Sequence, residues 1–289
     1  MKLFKIKNLL LSLLFFPLCC FGKVYDCFPF FNELELLEIR LHELNDVVDY
    51  FVLVESTETQ RGGEKPLFFL ENKERFAPYL HKVIHIILDE RHPEFEMWDR
   101  EHYQRNEIMR GLNKCKNRDI ILISDLDEIP RGLLIPHIKP EMKRRSIPTI
   151  NFQMHQYRFH LNRRHLDDFL CDGTVATTFA HLKQSSPQYV RDKRSKTWSF
   201  KNAGWHFTWM GGRERVRTKM QSVVEGTDEI VTDESIDAMI QSVPALPIDH
   251  TFPRYVQEHE EELRLQDFVA KETLINCFLR DLSQTGRKS

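Results

Sequence analysis

The chain has no dense basic run and no surplus of positive charge, with 41 Lys and Arg against 43 Asp and Glu in 289 residues. A duplex nucleic-acid binder neutralises phosphates with clustered basic side chains, so that class is excluded. The six cysteines show no CxxC spacing, which argues against a zinc site. There is no Asn-x-Ser/Thr sequon, so nothing marks the chain itself as N-glycosylated, and a bacterial envelope and a eukaryotic secretory compartment both stay open. Internal repeats and low-complexity linkers are missing too. No apolar run reaches the roughly 20 residues that a membrane-crossing helix requires.

The longest apolar run, residues 9–21, is interrupted by Ser12 and Pro17 and follows Lys2, Lys5 and Lys7. That pattern predicts a secretory signal over residues 1–22, with a short uncleaved membrane anchor as the alternative, and one domain over 23–289. Removing the signal takes three lysines and no acid, leaving 38 basic side chains against 43 acidic, a formal charge of −5. The remaining composition, near 41% apolar and 29% charged, suffices for a sizeable core. Cys27, Cys115, Cys171 and Cys277 would stay in the exported chain, as two disulfides or as isolated thiols.

Short β-type runs alternate with helical periods. Residues 24–28 form the first run. Asn32 with Glu35 has capping-box spacing and predicts a helix whose buried face is Leu34, Leu37, Leu41 and Leu44, with Glu35, Glu38 and Glu43 outward. Residues 47–54 and 83–88 read as strands, 99–112 as a helix, and 120–123 as a strand buried on both faces. Strands are expected over 150–154, 175–179 and 204–210, and helices over 213–224 and 258–279. This alternation predicts an α/β domain with a mainly parallel sheet.

The sharpest local signal is Ile120-Ile121-Leu122-Ile123-Ser124-Asp125-Leu126-Asp127-Glu128-Ile129-Pro130. A buried strand ends on three carboxylates, at the sheet edge where ligands bind in such folds. Crowded acids repel unless a cation offsets them, and hard oxygen ligands suit Mg²⁺ or Mn²⁺; the plain alternative is a solvated acidic turn. A phosphoryl-accepting aspartate needs Thr or Val two residues past the second acid and lies near the start of its domain. Ile129 stands there instead, and other strands precede it. An acidic pair that holds a cation against a nucleotide-sugar diphosphate suits the position better.

Several blocks, in order, resemble glycosyltransferase family 17. They are Tyr25-Asp26-Cys27-Phe28, the stretch Leu36 to Leu44, Val47 to Val52, Glu55-Ser56, the acidic run and Ala203-Gly204-Trp205-His206. The resemblance implies an A-type (GT-A, Rossmann-like) glycosyltransferase domain. It further implies inverting transfer of N-acetylglucosamine from UDP-N-acetylglucosamine to a glycan or glycoprotein acceptor, with a divalent metal, usually Mn²⁺. On this reading Asp125, Asp127 and His206 ligate the metal. Asp125 and Asp127, with Glu55, Arg105 and Asn106, address the donor; Glu55 follows a strand, and an Arg-Asn pair on the helix before the acidic strand serves many enzymes of this fold. Lys65 and Arg61 beside Gly62-Gly63 suit a solvated loop or phosphate. Arg213, Arg217 and Lys219, near the helix start at Gly211-Gly212, suit a basic helix face or an anion. Inversion requires a base, for which Asp172, Asp167, Asp168 and Glu128 compete. The rival expectations are the same fold with another nucleotide-sugar on an envelope glycan, or a secreted glycan-binding protein. Membrane contact is expected only through an uncleaved N-terminal segment.

Overall fold

A computed structural model of the chain describes residues 22–166, 169–223, 226 and 231–271. All of the expected signal segment except Gly22, together with Asp167, Asp168, Cys277 and the end of the expected last helix, lies outside the described residues. The strands are β1 Val24–Phe30, β2 Tyr50–Ser56, β3 Val83–Leu88, β4 Ile120–Ile123, β5 Glu128–Pro130, β6 Thr149–Arg158, β7 Cys171–Thr178, β8 Ser199–Phe200 and β9 Gly204–Thr208. The helices are α1 Leu34–Leu44, α2 Phe68–Glu71, α3 Met97–Asn106, α4 Ile138–Arg145, α5 Phe179–Leu182, α6 Pro187–Asp192, α7 Gly212–Ser222, α8 Asp233–Ser242, α9 Arg254–Glu258 and α10 Glu260–Leu265. Among the described residues no helix is long and apolar enough to cross a membrane.

The strands form one sheet in the order β3-β2-β1-β4-β7-β6-β9-β5, with β8 beside β6. β1 runs parallel to β2 and β4, and β2 to β3; β7 then enters antiparallel to β4 and β6. The second half of β6 turns to a parallel pairing with β9, whose other edge takes β5 antiparallel. The fold is therefore α/β with a mainly parallel sheet, as the alternation predicted.

Period-two alternation sends successive side chains to opposite faces. Phe51 and Leu53 of β2, with Ile120 and Leu122 of β4, join the core beneath α1; Val52, Val54, Ile121 and Ile123 join a second core on the other face. Leu36, Leu37, Leu41 and Leu44 of α1 are fully buried, each side chain contributing about 1.5–3 kcal/mol. The predicted Asn32 cap is not used: Glu33 precedes the helix and no side chain caps it. Glu35, expected outward, is buried under Arg215, which donates to it at 2.5 Å. In the described part of the expected long final helix only α10 is helical, following α9, which ends at Glu258. Beyond them Asp267 takes a left-handed conformation with φ 63°, and Phe268 and Val269 turn into the core.

Connectivity bends the sheet. β4 and β5 are joined by only Ser124–Asp127, yet three strands separate them in the sheet. Four inter-strand steps on a flat sheet span about 19 Å, whereas the five residue steps of this connection reach at most about 17–18 Å. The sheet must curl until β5 returns toward β4. Thr174 Oγ1 of β7 donates to the Glu128 carbonyl of β5 at 3.0 Å, which closes that curl.

Candidate active site

The acidic loop sits where the curl closes, and a buried arginine fixes its backbone. Arg40 of α1 and Asp26 of β1 are fully buried, with Arg40 Nη2 2.6 Å from Asp26 Oδ1 and Nε 2.7 Å from Oδ2. Arg40 Nη1 donates to the carbonyls of Asp125, Leu126 and Glu128, each at 3.0 Å, and Nη2 to Ser124 Oγ at 2.5 Å. A guanidinium offers five N–H donors in a planar fork, enough to serve a carboxylate and a turn together.

The loop's carboxylates then diverge. Asp125 accepts from Arg105 Nη2 at 2.8 Å and also from Arg191. Glu128 is gripped on both oxygens by Arg191, at 2.6 and 2.9 Å, and Glu128 Oε2 accepts the Asp125 amide. Burial alone would raise the Asp125 pKa, but the Arg105 and Arg191 guanidiniums outweigh it and hold it well below the usual carboxylate range. Glu128 is likewise lowered, Arg191 prevailing over burial.

Asp127 faces the other way. Its Oδ2 accepts from Lys219 Nζ at 3.1 Å, and its Oδ1 stands 3.6 Å from His206 Nε2. Lys219 also reaches Glu33 Oε1 at 2.7 Å, so α7 is tied across to the loop after β1. His206 is delivered by register, since β9 places it opposite Glu128 of β5 and beside Gln156 of β6. The approach depends on Gly204, where a Cβ would lie 2.3 Å from the Ile129 carbonyl oxygen. Burial lowers the affinity of His206 for a proton, but Cys171 and the acids Asp127 and Glu128 reverse that and bring its pKa up to about 9.

These groups line a cleft of about 420 Å³, with Phe31, Lys65, Asp172 and Arg194 on its walls. Lys65 donates to the carbonyls of Phe31 and Pro66 at 3.5 and 3.3 Å, and burial brings its pKa down to about 8. Asp172 Oδ1 accepts from Asn151 Nδ2 at 2.5 Å and Gln153 Nε2 at 2.8 Å.

The expected three-ligand metal set does not assemble. Asp125 is turned onto two guanidiniums, and among the described residues no three His, Cys, Asp or Glu side chains converge as a cage. Asp127 and His206, an oxygen and an imidazole nitrogen 3.6 Å apart, are of the donor types that would suit a divalent cation as a pair. Such ions commonly take one or two carboxylates and leave their other positions to substrate phosphates and water.

Glu55 does not reach the cleft. It is fully buried and receives the Phe69 amide at 2.8 Å and His85 Nε2 at 3.0 Å; Glu58, three residues on, lines the wall instead. Asn106 caps the α3–α6 junction, its Oδ1 accepting the Gln188 amide at 3.0 Å, and Arg105 meets Asp125 rather than open space. Arg61 donates to the Val223 carbonyl at 2.9 Å. Arg213 and Arg217 pair with Asp233, Asp237 and Glu214, and of the basic residues of α7 only Lys219, in its last turn, lines the cleft. Cys27, Cys115 and Cys171 carry thiols, with no disulfide between them. Sequence reasoning missed Arg191 and Arg194, which no local motif marks, and Cys171, weighed only as a disulfide partner or an isolated thiol.

The solved structures similar to this chain are remote from it. S. aureus TarS 1–349 in complex with UDP-GlcNAc aligns at TM-score 0.41 and 12% identity over 76% of this chain and 71% of that one. The mannosyltransferase PcManGT from Pyrobaculum calidifontis, in complex with GDP-Man and Mn²⁺, aligns at TM-score 0.37 and 14% identity over 56% and 46%. In sequence, the chain is 37% identical over 107 residues to the human and rat β-1,4-mannosyl-glycoprotein 4-β-N-acetylglucosaminyltransferases. That match covers 34% of this chain and a fifth, 20%, of the length of those relatives. Residues 19–239, most of the chain and all of the acidic loop, β5, β9 and α7, match glycosyltransferase family 17, and the chain belongs to that family.

Proposed function

We propose that this family 17 member transfers N-acetylglucosamine from UDP-N-acetylglucosamine to a hydroxyl of a mannose-containing glycan, in β linkage and with inversion at the anomeric carbon. The observation that carries this reading is the cleft itself. Asp127 and His206 face each other within it, and Lys65, Arg191, Arg194 and Lys219 stand around them. A carboxylate–imidazole pair suits a divalent cation, and the surrounding cations suit a diphosphate. The partial likeness to the N-acetylglucosaminyltransferases supports the choice of sugar.

Asp127 and His206 would hold Mn²⁺ or Mg²⁺, which when bound supplies Lewis-acid stabilisation of the leaving diphosphate. The chain's own residues supply the rest. Lys219 and Arg194 add positive charge where the leaving group gathers negative charge. Arg105, Arg191 and Arg40 keep the acidic loop in one conformation, so little reorganisation remains at the moment of reaction. Asp172 is the base: it is anchored through Oδ1 on the cleft wall, whereas both Glu128 oxygens are taken by Arg191. The acceptor hydroxyl gives its proton to Asp172 while its oxygen bonds to the anomeric carbon. The bond from that carbon to the diphosphate oxygen breaks, its electron pair leaving with UDP.

Incubation with UDP-N-acetylglucosamine, Mn²⁺ and a mannose-terminated glycan tests this, with mass spectrometry of the glycan. A gain of one N-acetylhexosamine, abolished by Asp172→Asn, is expected. A glycan unchanged with this donor but extended from another nucleotide-sugar overturns the donor; no turnover of any nucleotide-sugar overturns the enzyme.

A further inference from the structure

We propose that Cys171 is a positioning residue for metal binding: its thiol orients the His206 imidazole and keeps Nε2 turned to the cation opposite Asp127. The inference rests on the Asp127–His206 reading above and deepens it.

Cys171 begins β7 and lines the cleft. Its Sγ lies 3.4 Å from the Met154 carbonyl oxygen and 3.6 Å from His206 Nδ1. A thiol has one proton to donate, and a carbonyl oxygen can only accept. Both contacts are satisfied in one arrangement: S–H donates to Met154 and the sulfur accepts from Nδ1–H. With Nδ1 carrying hydrogen, Nε2 is the ring nitrogen turned to Asp127 Oδ1, 3.6 Å away, and it holds either the second imidazole proton, as in the metal-free protein, or a metal ion that displaces that proton. Two acceptors facing each other repel unless a cation lies between them. The opposite arrangement, S–H to Nδ1, would set the sulfur lone pairs against the Met154 oxygen and place a hydrogen on Nε2, where the ion must bind.

The backbone makes the contact dependable. Cys171 pairs with Met154 across β7 and β6, and His206 lies beside Gln156 across β6 and β9, so one strand sets both residues. A ring nitrogen held by an outer partner is how proteins commonly fix a metal-bound histidine, and losing that partner typically weakens metal affinity 10–100-fold.

The test is Mn²⁺ binding, read as loss of the free-ion electron paramagnetic resonance signal with UDP present, alongside the thermal midpoint of each metal-free protein. Cys171→Ala is expected to weaken Mn²⁺ affinity about 10–100-fold at a nearly unchanged midpoint. Cys171→Ser, whose hydroxyl can donate to Met154 and accept from Nδ1–H, should recover most of that affinity. If the alanine variant does not fold, Cys171→Val takes its place. His206→Ala separates the two claims. If it binds Mn²⁺ like wild type, or wild type does not bind, the metal reading fails and this proposal with it. If His206→Ala loses the ion while Cys171→Ala keeps wild-type affinity, the proposal alone is overturned, as it is if serine rescues nothing.

Discussion

Arg40 and Asp26 meet 2.6 Å apart with both side chains fully buried, and the same guanidinium carries the acidic loop on its remaining donors. Removing one member strands the other's charge, which costs about 3–5 kcal/mol. Arg40→Met and Asp26→Asn should each lower unfolding free energy by that order in chemical denaturation. Arg40→Lys should fail to rescue, because an ammonium cannot serve the carboxylate and three carbonyls at once. A lysine variant as stable as wild type would show that the carbonyl contacts contribute little.

Asp125 and Asp127 look alike in the sequence and should behave differently when changed. Asp125→Ala takes one of two carboxylate partners from each of the nearly fully buried Arg105 and Arg191, which keep Glu101 and Glu128, so stability and transfer should both fall. Asp127→Ala leaves Lys219 its partner Glu33, so transfer and Mn²⁺ binding should be lost with little change in thermal midpoint. Thermal unfolding of the two variants beside a UDP-release assay decides the matter; equal loss of stability would refute the division.

Lys65 links stability to pH. Burial brings its pKa down to about 8 from an ordinary 10.5, so between those values the unfolded chain binds more protons and stability rises with pH. Below about pH 8 the charged lysine is a standing penalty. Lys65→Met should therefore be more stable than wild type near neutrality, with the advantage shrinking above about pH 8 and gone beyond about 10.5. The same variant should bind UDP more weakly, since an anion loses a cation from the cleft wall. Denaturant titrations at several pH values and a UDP binding isotherm measure both effects.

Gly204 admits no side chain. Gly204→Ala would drive a Cβ to 2.3 Å from the Ile129 carbonyl oxygen, and the β5–β9 pairing must part. A loss of about 1–3 kcal/mol or more is expected, together with weaker Mn²⁺ binding, because His206 rides on that pairing. Gly63→Ala is the control: its Cβ would meet Thr59 Oγ1 at an ordinary 3.4 Å, so it should stay within about 0.5 kcal/mol. Calorimetry on the two variants compares them directly.

Parts of the molecule carried by local pattern were legible in the sequence. Ile120–Ile123 read as a doubly buried strand, Leu37, Leu41 and Leu44 of α1 as one buried face, and Asp127 with His206 as members of one site once the family blocks were placed. What resisted depends on contacts between residues far apart in sequence. Arg191 meets Glu128 across 63 positions and Cys171 meets His206 across 35. An arginine on a short helix reads as surface, and nothing near Arg40 shows that its guanidinium is buried at Asp26. Glu55 misled for the same reason: its position after a strand suggested the cleft, while strand alternation turned its carboxylate under Phe69. Asn32 had the right spacing for a cap, but the helix begins a residue later than that spacing implies.

The Ser124–Asp127 connection is short because it closes the curl of the sheet, and that decides how it can move. Ordinary surface loops open by themselves and exchange their amide hydrogens quickly. This one is moored at both ends to strands that come together only when the sheet is curled, and Arg40 holds it from beneath. For the Asp125 amide to reach water freely, β5 must leave β9 or the whole sheet must flatten. Its exchange with solvent should then be governed by unfolding of the strands rather than by loop motion, making the carboxylate-bearing turn among the slowest-opening segments outside the regular strands and helices.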